Sequence, residues 1–534
     1  MRELQGLRDF QMPGRSVAYG ASGMAATSHP LATLAAVDVL RGGGNAVDAA
    51  IAAVAVLCVV EPAMTGIGGD CFALYAPASG GVVALNGSGR TPAAATLERV
   101  AADCGMAIPA GSPHAVTVPG AVAGWELLLG RYGTKGLDEL LRPAIRAAEE
   151  GTPVQPRIAF DWVRNTATLG RSPGAKAIYL PGDRPATVGR IMRYPALART
   201  LKAIGEGGAK AFYEGPLAAA MVRTLQGLGG LHSEADFAAA TAELVEPLKT
   251  GYRDVQVYQC PPNGQGLVTL LLLNILEGYE LGTMAPLSAE RIHLVAEAAK
   301  LAFRDRDAFL GDPAFKDVPV ARLLDKAYAQ KLRDAIDLER ALTDLPPPLL
   351  EPHADTTCLA VVDRDLNAVS FINSLFEGFG SGLACETTGV LFHCRGRGFR
   401  LDPTHPNAMA PGKRPMHTII PGMAFKGGEA WLAYAVMGGN YQPVGHATVL
   451  GNVIDHGLGL QAAIDAPRFM AYPTDLEVER GVPPAARAGL AIRGHGIHEP
   501  EGPLGGGQAV MIDRRRGVLM GATDPRKDGI ALGF

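Results

Sequence analysis

Thr356 is the residue whose setting best suits nucleophilic chemistry. It follows Asp355 and opens the run Thr356-Thr357-Cys358-Leu359-Ala360-Val361-Val362. A polar turn, 363–367, leads to a second apolar run, Ala368 to Leu375, and Phe379-Gly380-Ser381-Gly382 closes the unit. Two β-type runs joined by a short Asp/Asn-containing turn read as a hairpin. Thr356 then stands at the leading edge of a buried strand, where a hydroxyl adds little to packing. A cut between Asp355 and Thr356 would place a free α-amino group beside the threonine Oγ, and such an amine activates a threonine nucleophile. Ser374 falls on the facing strand.

Two other stretches hold groups that acyl chemistry could use. Arg90 follows the strand-like run Gly81 to Leu85 within Asn86-Gly87-Ser88-Gly89-Arg90-Thr91-Pro92. Its planar fork could meet a carboxylate there, or it could be a surface turn arginine. Gly438-Gly439 follows the strand-like run Trp431 to Val436. Paired glycines can turn their N–H groups toward an oxyanion, or can simply make a strand-to-helix turn. The Gly-rich run Thr65 to Asp70 lacks the lysine and following helix of a phosphate loop, because Cys71 to Tyr75 reads as a strand.

The remaining elements frame these groups. Leu31 to Arg41 reads as a helix stopped by three glycines, and Asn45 caps a buried helix from Ala46 to about Val60. Residues 135–255 alternate amphipathic helices with loops: Leu137 to Glu150, Tyr194 to Ile204, Gly215 to Gln226 and Ser233 to Ala242. Leu267 to Glu277 is an apolar helix, and Ser288 to about Phe309 reads as a strong amphipathic helix with a capping serine. Helices also follow at Pro443 to His456 and Leu460 to Ile464, then short strands to Phe534. The segment Leu342 to Ala354 carries three consecutive prolines and reads as an exposed linker just before Thr356.

With 534 residues, 48 % apolar and 19 % charged, the chain can build a large core. Its 49 basic and 53 acidic side chains leave a net charge of −4 without long runs of one sign, which argues against nucleic acid or an anionic membrane as partner. The seven cysteines form no CxxC pair, and the twelve histidines show no HxxxH or HExxH spacing, so neither a disulfide framework nor a metal site is expected. The N-terminal stretch lacks the apolar core of a signal peptide, so a cytoplasmic location is expected.

The pattern D-T-T-x-x-x-V-V-D-x-x-x-N-A-V-S, followed by F-G-S-G, resembles the start of the small subunit of γ-glutamyltransferases. These are N-terminal-nucleophile (Ntn) hydrolases, made as one precursor that cuts itself before a threonine. H-P-L-A, G-G-N-A-V-D-A-A-I-A-A, G-I-G-G-D, V-T-V-P-G-A-V-A-G-W and A-F-R-D-R-D-A-F-L-G-D-P extend the resemblance across nearly the whole chain. It implies an α+β fold, the four-layer αββα sandwich with two stacked antiparallel sheets, as one domain over 1–534. The subunits would be 1–355 and 356–534, with a dimer of heterodimers possible. It implies Thr356 as nucleophile, Ser374 as its orienting partner, Gly438 and Gly439 as the oxyanion hole, Arg90 on the substrate carboxylate, and no cofactor or metal.

The resemblance fails at one pocket. The family's amine-binding asparagine aligns with Phe376, and its acidic or amide partner and aspartate with Arg395 and Gly398. The serine pair that holds the α-carboxylate aligns with His417-Thr418, and the lid segment between Phe399 and Lys413 is short. An ammonium group would meet Arg395, a repulsion of about 4 kcal/mol at ~4 Å and an effective dielectric of 20. The resemblance therefore implies hydrolysis or transfer of a small amide that carries a carboxylate, with water or an amine as acceptor. The substrate would be γ-glutamyl, as in glutathione, or glutaryl or a small oxo-acid amide, as for acylases and amidohydrolases of the superfamily. An uncleaved relative acting as a binding protein is the remaining reading.

Overall fold

The hairpin forms as strands Thr357–Val362 and Ala368–Ser374, antiparallel with Thr357 opposite Asn373. The computed structural model describes residues 10–11, 14–345 and 356–534, so Asp355 and most of the proline-bearing linker lie outside the described residues. The hairpin occupies the middle of a seven-stranded antiparallel sheet. Met24–Thr27 and Ile530–Gly533 lie on one side; Asp70–Ala76, Val83–Gly87 and Glu243–Val245 lie on the other. A second antiparallel sheet runs Ala18–Gly20, Val518–Thr523, Gly506–Asp513, Glu429–Met437, Gly422–Lys426, Val255–Gln259 and Leu248–Tyr252. Segments before and after residue 355 contribute strands to both sheets.

Side-chain alternation assigns the layers. In Thr357–Val362, Leu359 and Val361 join the core under the helices, whereas Cys358, Ala360 and Val362 join the core between the sheets. In Glu429–Met437, Leu432, Tyr434 and Val436 pack on the opposite helical layer, and Ala433, Ala435 and Met437 face the gap. That period of two, read on both sheets, defines a helix–sheet–sheet–helix sandwich. The gap is lined by many small residues, which lets the sheets approach closely. By the same parity Thr356 and Ser374 fall on the gap side, at one end of the hairpin.

The buried helix Ala46–Val60 is capped as the sequence suggests. Asn45 accepts from Val47 and Asp48 N–H, Asp48 accepts in return from Asn45 N–H, and every helical residue is buried. Other expectations need correction. The helix Ala289–Phe309 is buried on nearly all sides, because its polar side chains find partners inside, such as His495 for His293 and Gln265 for Arg306. The helix expected from Ser233 to Ala242 shortens to Glu234–Ala238, with the strand Glu243–Val245 following. The C-terminal region contains a helix, Pro484–Ile492, among its strands. All seven cysteines are free thiols, and among the described residues no helix is long and apolar enough to cross a membrane.

Candidate active site

Antiparallel register sets Thr356 next to Ser374, one step beyond the Thr357–Asn373 pair. Thr356 is fully buried and its Oγ lies 3.0 Å from Ser374 Oγ. Ser374 Oγ accepts from Phe376 N–H at 2.9 Å and from Arg395 Nη2 at 3.3 Å. Arg395 Nη1 donates to Thr418 Oγ1 at 2.7 Å, and the guanidinium lies 4.1 Å from the Phe376 ring centroid. The structure thus brings Thr356, Ser374, Arg395, Phe376 and Thr418 into one contiguous group.

Arg395 is the unusual member. It is 1 % exposed, and Nε finds no acceptor. A guanidinium has five N–H donors, and only two here reach an oxygen. Among the described residues no carboxylate lies within ion-pair distance of it. Burial pulls its pKa down to about 10, while the Asp70 charge acts from a distance to hold the proton. Phe376 and Thr418, which hold the guanidinium, also line a cleft of about 410 Å³ with Gly398, Phe399, Met416 and Asn440.

The backbone around this group is strained or pinned. Phe376 has φ 83°, a conformation costly for a non-glycine residue, and it aims the ring under Arg395. Gly438 and Gly439 have φ 126° and 56°, and a Cβ on Gly438 would sit 3.0 Å from Gly505 Cα. Glycine is therefore required at that turn. Gln265 Nε2 donates to the carbonyls of both Thr418 and Gly439 at 2.9 Å, and Arg306 Nη1 donates to Gln265 Oε1 and Asn440 Oδ1. That brace ties the glycine turn to the Arg395 pocket. Sequence reading passes over it, since Gln265 sits in a Pro/Gly break; the R-D-R-D tail of the helix was its visible trace.

His417 lies behind Thr418, on Asp70. Its Nε2 bonds Asp70 Oδ2 at 3.0 Å, its ring packs 4.8 Å from Phe72, and it is fully buried. The structure thus places His417, expected as a substrate-binding residue, on Asp70 and Phe72. Asp70 Oδ1 accepts from Gly89 and Gly120 N–H. Burial alone would raise the Asp70 pKa, but His393, His417 and Arg395 hold it near 2. Burial and then the Arg395 charge push His417 down to about 3. At neutral pH the pair is a carboxylate accepting from a neutral imidazole.

Arg90 joins none of this. Its guanidinium donates to Gly412 O at 3.1 Å and bridges Glu243 at 3.2 Å. It lines a separate cavity of about 200 Å³ with Val118, Gly120 and Asp236. Arg414, also on Glu243, completes that network. One further cluster escaped the spacing search. His293, Glu297 and His495 bring donor atoms within 4.8 Å of one another, but Lys300 Nζ, 2.8 Å from Glu297 Oε1, already supplies a cation there.

Two stacked antiparallel sheets between helical layers, with a threonine at the gap end of a central strand, define the Ntn-hydrolase class. The comparisons narrow this. The family model described as Gamma-glutamyltranspeptidase matches residues 32–534. The "Glutathione hydrolase-like YwrD proenzyme" of Bacillus subtilis (strain 168) is 38 % identical over 528 residues, covering 96 % of this chain and 99 % of that one. The "Acylase ACY 1 proenzyme" of Pseudomonas sp. (strain SE83) is 36 % identical over 96 % of this chain and 93 % of its own. The crystal structure of cephalosporin acylase from Bacillus halodurans superposes with a TM-score of 0.92 at 40 % identity, covering 99 % of both chains. The chain belongs to the gamma-glutamyltranspeptidase family, and it is an enzyme.

Proposed function

We propose that this chain is a self-processing amidohydrolase or acyltransferase whose acyl donor carries a carboxylate and no α-ammonium. The observation that carries the donor class is Arg395: a buried cation with three unused donors, one hydroxyl away from Thr356. A buried charge without a partner is costly, and an entering carboxylate would supply the partner. An ammonium there would add a second unpaired cation. The relatives named as acylases support such a donor; the relative named glutathione hydrolase-like keeps the γ-glutamyl amide as the comparison substrate.

In the proposed sequence the chain is cut before Thr356, giving pieces of 355 and 534 − 355 = 179 residues. The new α-amine accepts the Thr356 Oγ proton as Oγ attacks the amide carbonyl. The Gly438 and Gly439 N–H groups receive the developing oxyanion. Ser374 keeps the threonine oriented, and the amine returns the proton to the leaving nitrogen. Water or an amine acceptor then resolves the acyl-enzyme.

Thr356→Ala is the test. On a denaturing gel the wild type should run as two chains and the variant as one, with hydrolysis abolished. A variant that still matures to two chains would place the cut elsewhere. Thr356→Ser keeps hydroxyl and amine, so it should process and retain some activity.

A further inference from the structure

Lys527 is a second buried cation, in the gap between the sheets. Its stem lies on Gly506: a Cβ on that glycine would meet Lys527 Cγ at 3.0 Å, Lys527 Cε at 3.2 Å and the gap-facing Met437 Sδ at 3.3 Å. Gly506 pairs with Met437, the residue before Gly438, and its carbonyl accepts from Cys358 Sγ at 3.6 Å. Cys358 lies two residues after Thr356 on the same face of the strand, a step of about 7 Å. Lys527 Nζ ends 3.4 Å from Met64 Sδ, and the Met64 carbonyl accepts at 3.2 Å from the N–H of Leu375, which follows Ser374. The side chain is thus bracketed by the neighbours of Thr356, Ser374 and Gly438.

This cation is poorly matched. A thioether sulfur is a weak acceptor, and among the described residues no carboxylate lies within ion-pair distance of Nζ. Asp524, in the same turn, is taken by Arg468 and Arg526. Glu61 keeps Oε2 on Ser28 Oγ at 2.9 Å and leaves Oε1 without a partner. Burial raises the Glu61 pKa to about 7, with the Lys527 charge pulling the other way. The charges of Lys527 and Glu61 both reach Cys358. Bonded to Ser374 is the other unpaired cation, Arg395, with Asp70, His393 and His417 in its electrostatic neighbourhood.

We infer that Lys527 is a positioning residue for the nucleophile: its charge holds the α-amine freed at Thr356 in the uncharged, proton-accepting form, and Glu61 opposes it. This rests on the reading that the chain is cut before Thr356. An ordinary α-amine is half protonated at about pH 7.7–8.0, and the protonated half cannot accept the Oγ proton. Burial and a like charge both disfavour an ammonium. At ~8 Å and an effective dielectric of 20, one such charge lowers the titration by about 1.5 pH units.

The experiment measures kcat/KM for glutaryl p-nitroanilide against pH on processed wild type, Lys527→Met, Lys527→Gln, Lys527→Arg and Glu61→Gln. N-terminal sequencing of the smaller chain comes first; an end other than Thr356 would overturn the reading beneath the inference. With Thr356 at the end, the wild-type acid limb should lie below pH 7. Both neutral variants should move it up by about one pH unit, so activity at pH 6 falls about tenfold while activity at pH 9 holds within threefold. Lys527→Arg should keep the wild-type limb, and Glu61→Gln, which removes the opposing charge, should not raise it. A loss equal at all pH values, or an unmoved limb in the neutral variants, would overturn the inference alone. Failure of both neutral variants to mature, with Lys527→Arg maturing normally, would make Lys527 a folding residue and overturn it too.

Discussion

Arg395 and Arg90 are both arginines in glycine-containing turns, yet their surroundings differ in the two quantities that decide what a cation can do. Arg395 is 1 % exposed and has no carboxylate bridged to it among the described residues. The Arg90 side chain is 35 % exposed and bridges Glu243, which Arg414 also contacts. The first carries an unmet electrostatic demand in a dry place, where a ligand anion gains most. The second is already neutralised and is screened by solvent, so little is left for a substrate. Position in a turn made them look alike; burial and pairing separate them.

The sharpest way to break this contrast is Arg395→Met. Two charge-assisted hydrogen bonds to a donor carboxylate would be lost, about 2–3 kcal/mol, or ~30–160-fold in kcat/KM for glutaryl anilide. Butyryl anilide should change little. Because the removed cation is buried and unpaired, the melting temperature should hold or rise. A large loss of stability, with equal loss on both substrates, would make Arg395 a structural residue.

Arg90→Ala should do much less. Exposed ion pairs contribute roughly 0–1 kcal/mol, so kcat/KM for glutaryl anilide should stay within about threefold of wild type. A drop confined to carboxylate-bearing donors would return Arg90 to the substrate site.

The smallest effect is on stability against pH, and it separates the regions by window. His417, beside Arg395, is a base whose pKa falls from 6.5 to about 3 on folding. Its contribution is complete above 6.5 and is lost as pH falls toward 3. Asp70 is lowered from 3.8 to about 2, so its share is lost only below 3.8. In the Arg90 network, Glu243 is held below 4.5, first by the Arg414 hydrogen bond, so its contribution is lost only below 4.5. Calorimetry between pH 6.5 and 4.5 should therefore show a decline in stability, shared with the other buried histidines His29, His232, His446 and His495, that His417→Gln reduces and Glu243→Gln leaves. A decline abolished by Glu243→Gln would reverse the assignment.

Local patterns were legible without a structure. Alternating residues in 357–362 and 368–374 specified the hairpin and its faces, and parity then placed Thr356 and Ser374 together. Asn45 and the all-apolar surface of 46–60 specified a capped, buried helix. The misread helix at 289–309 shows the limit of such patterns. Its Arg, His, Glu and Lys look solvent-facing because their partners, such as His495 for His293, lie some two hundred positions away.

By itself the sequence determined the nucleophile candidate and the glycine turn, and its family resemblance singled out Phe376, Arg395 and Gly398. Those are questions of residue type and short spacing. Only the tertiary structure decided which arginine lies beside Ser374 and Thr356, and that His417 bonds Asp70, 347 positions distant. It alone decided that Phe376 is bent to positive φ under a buried cation. Charge in a sequence is only a count; whether that charge is satisfied depends on burial and on partners that chain folding brings from afar.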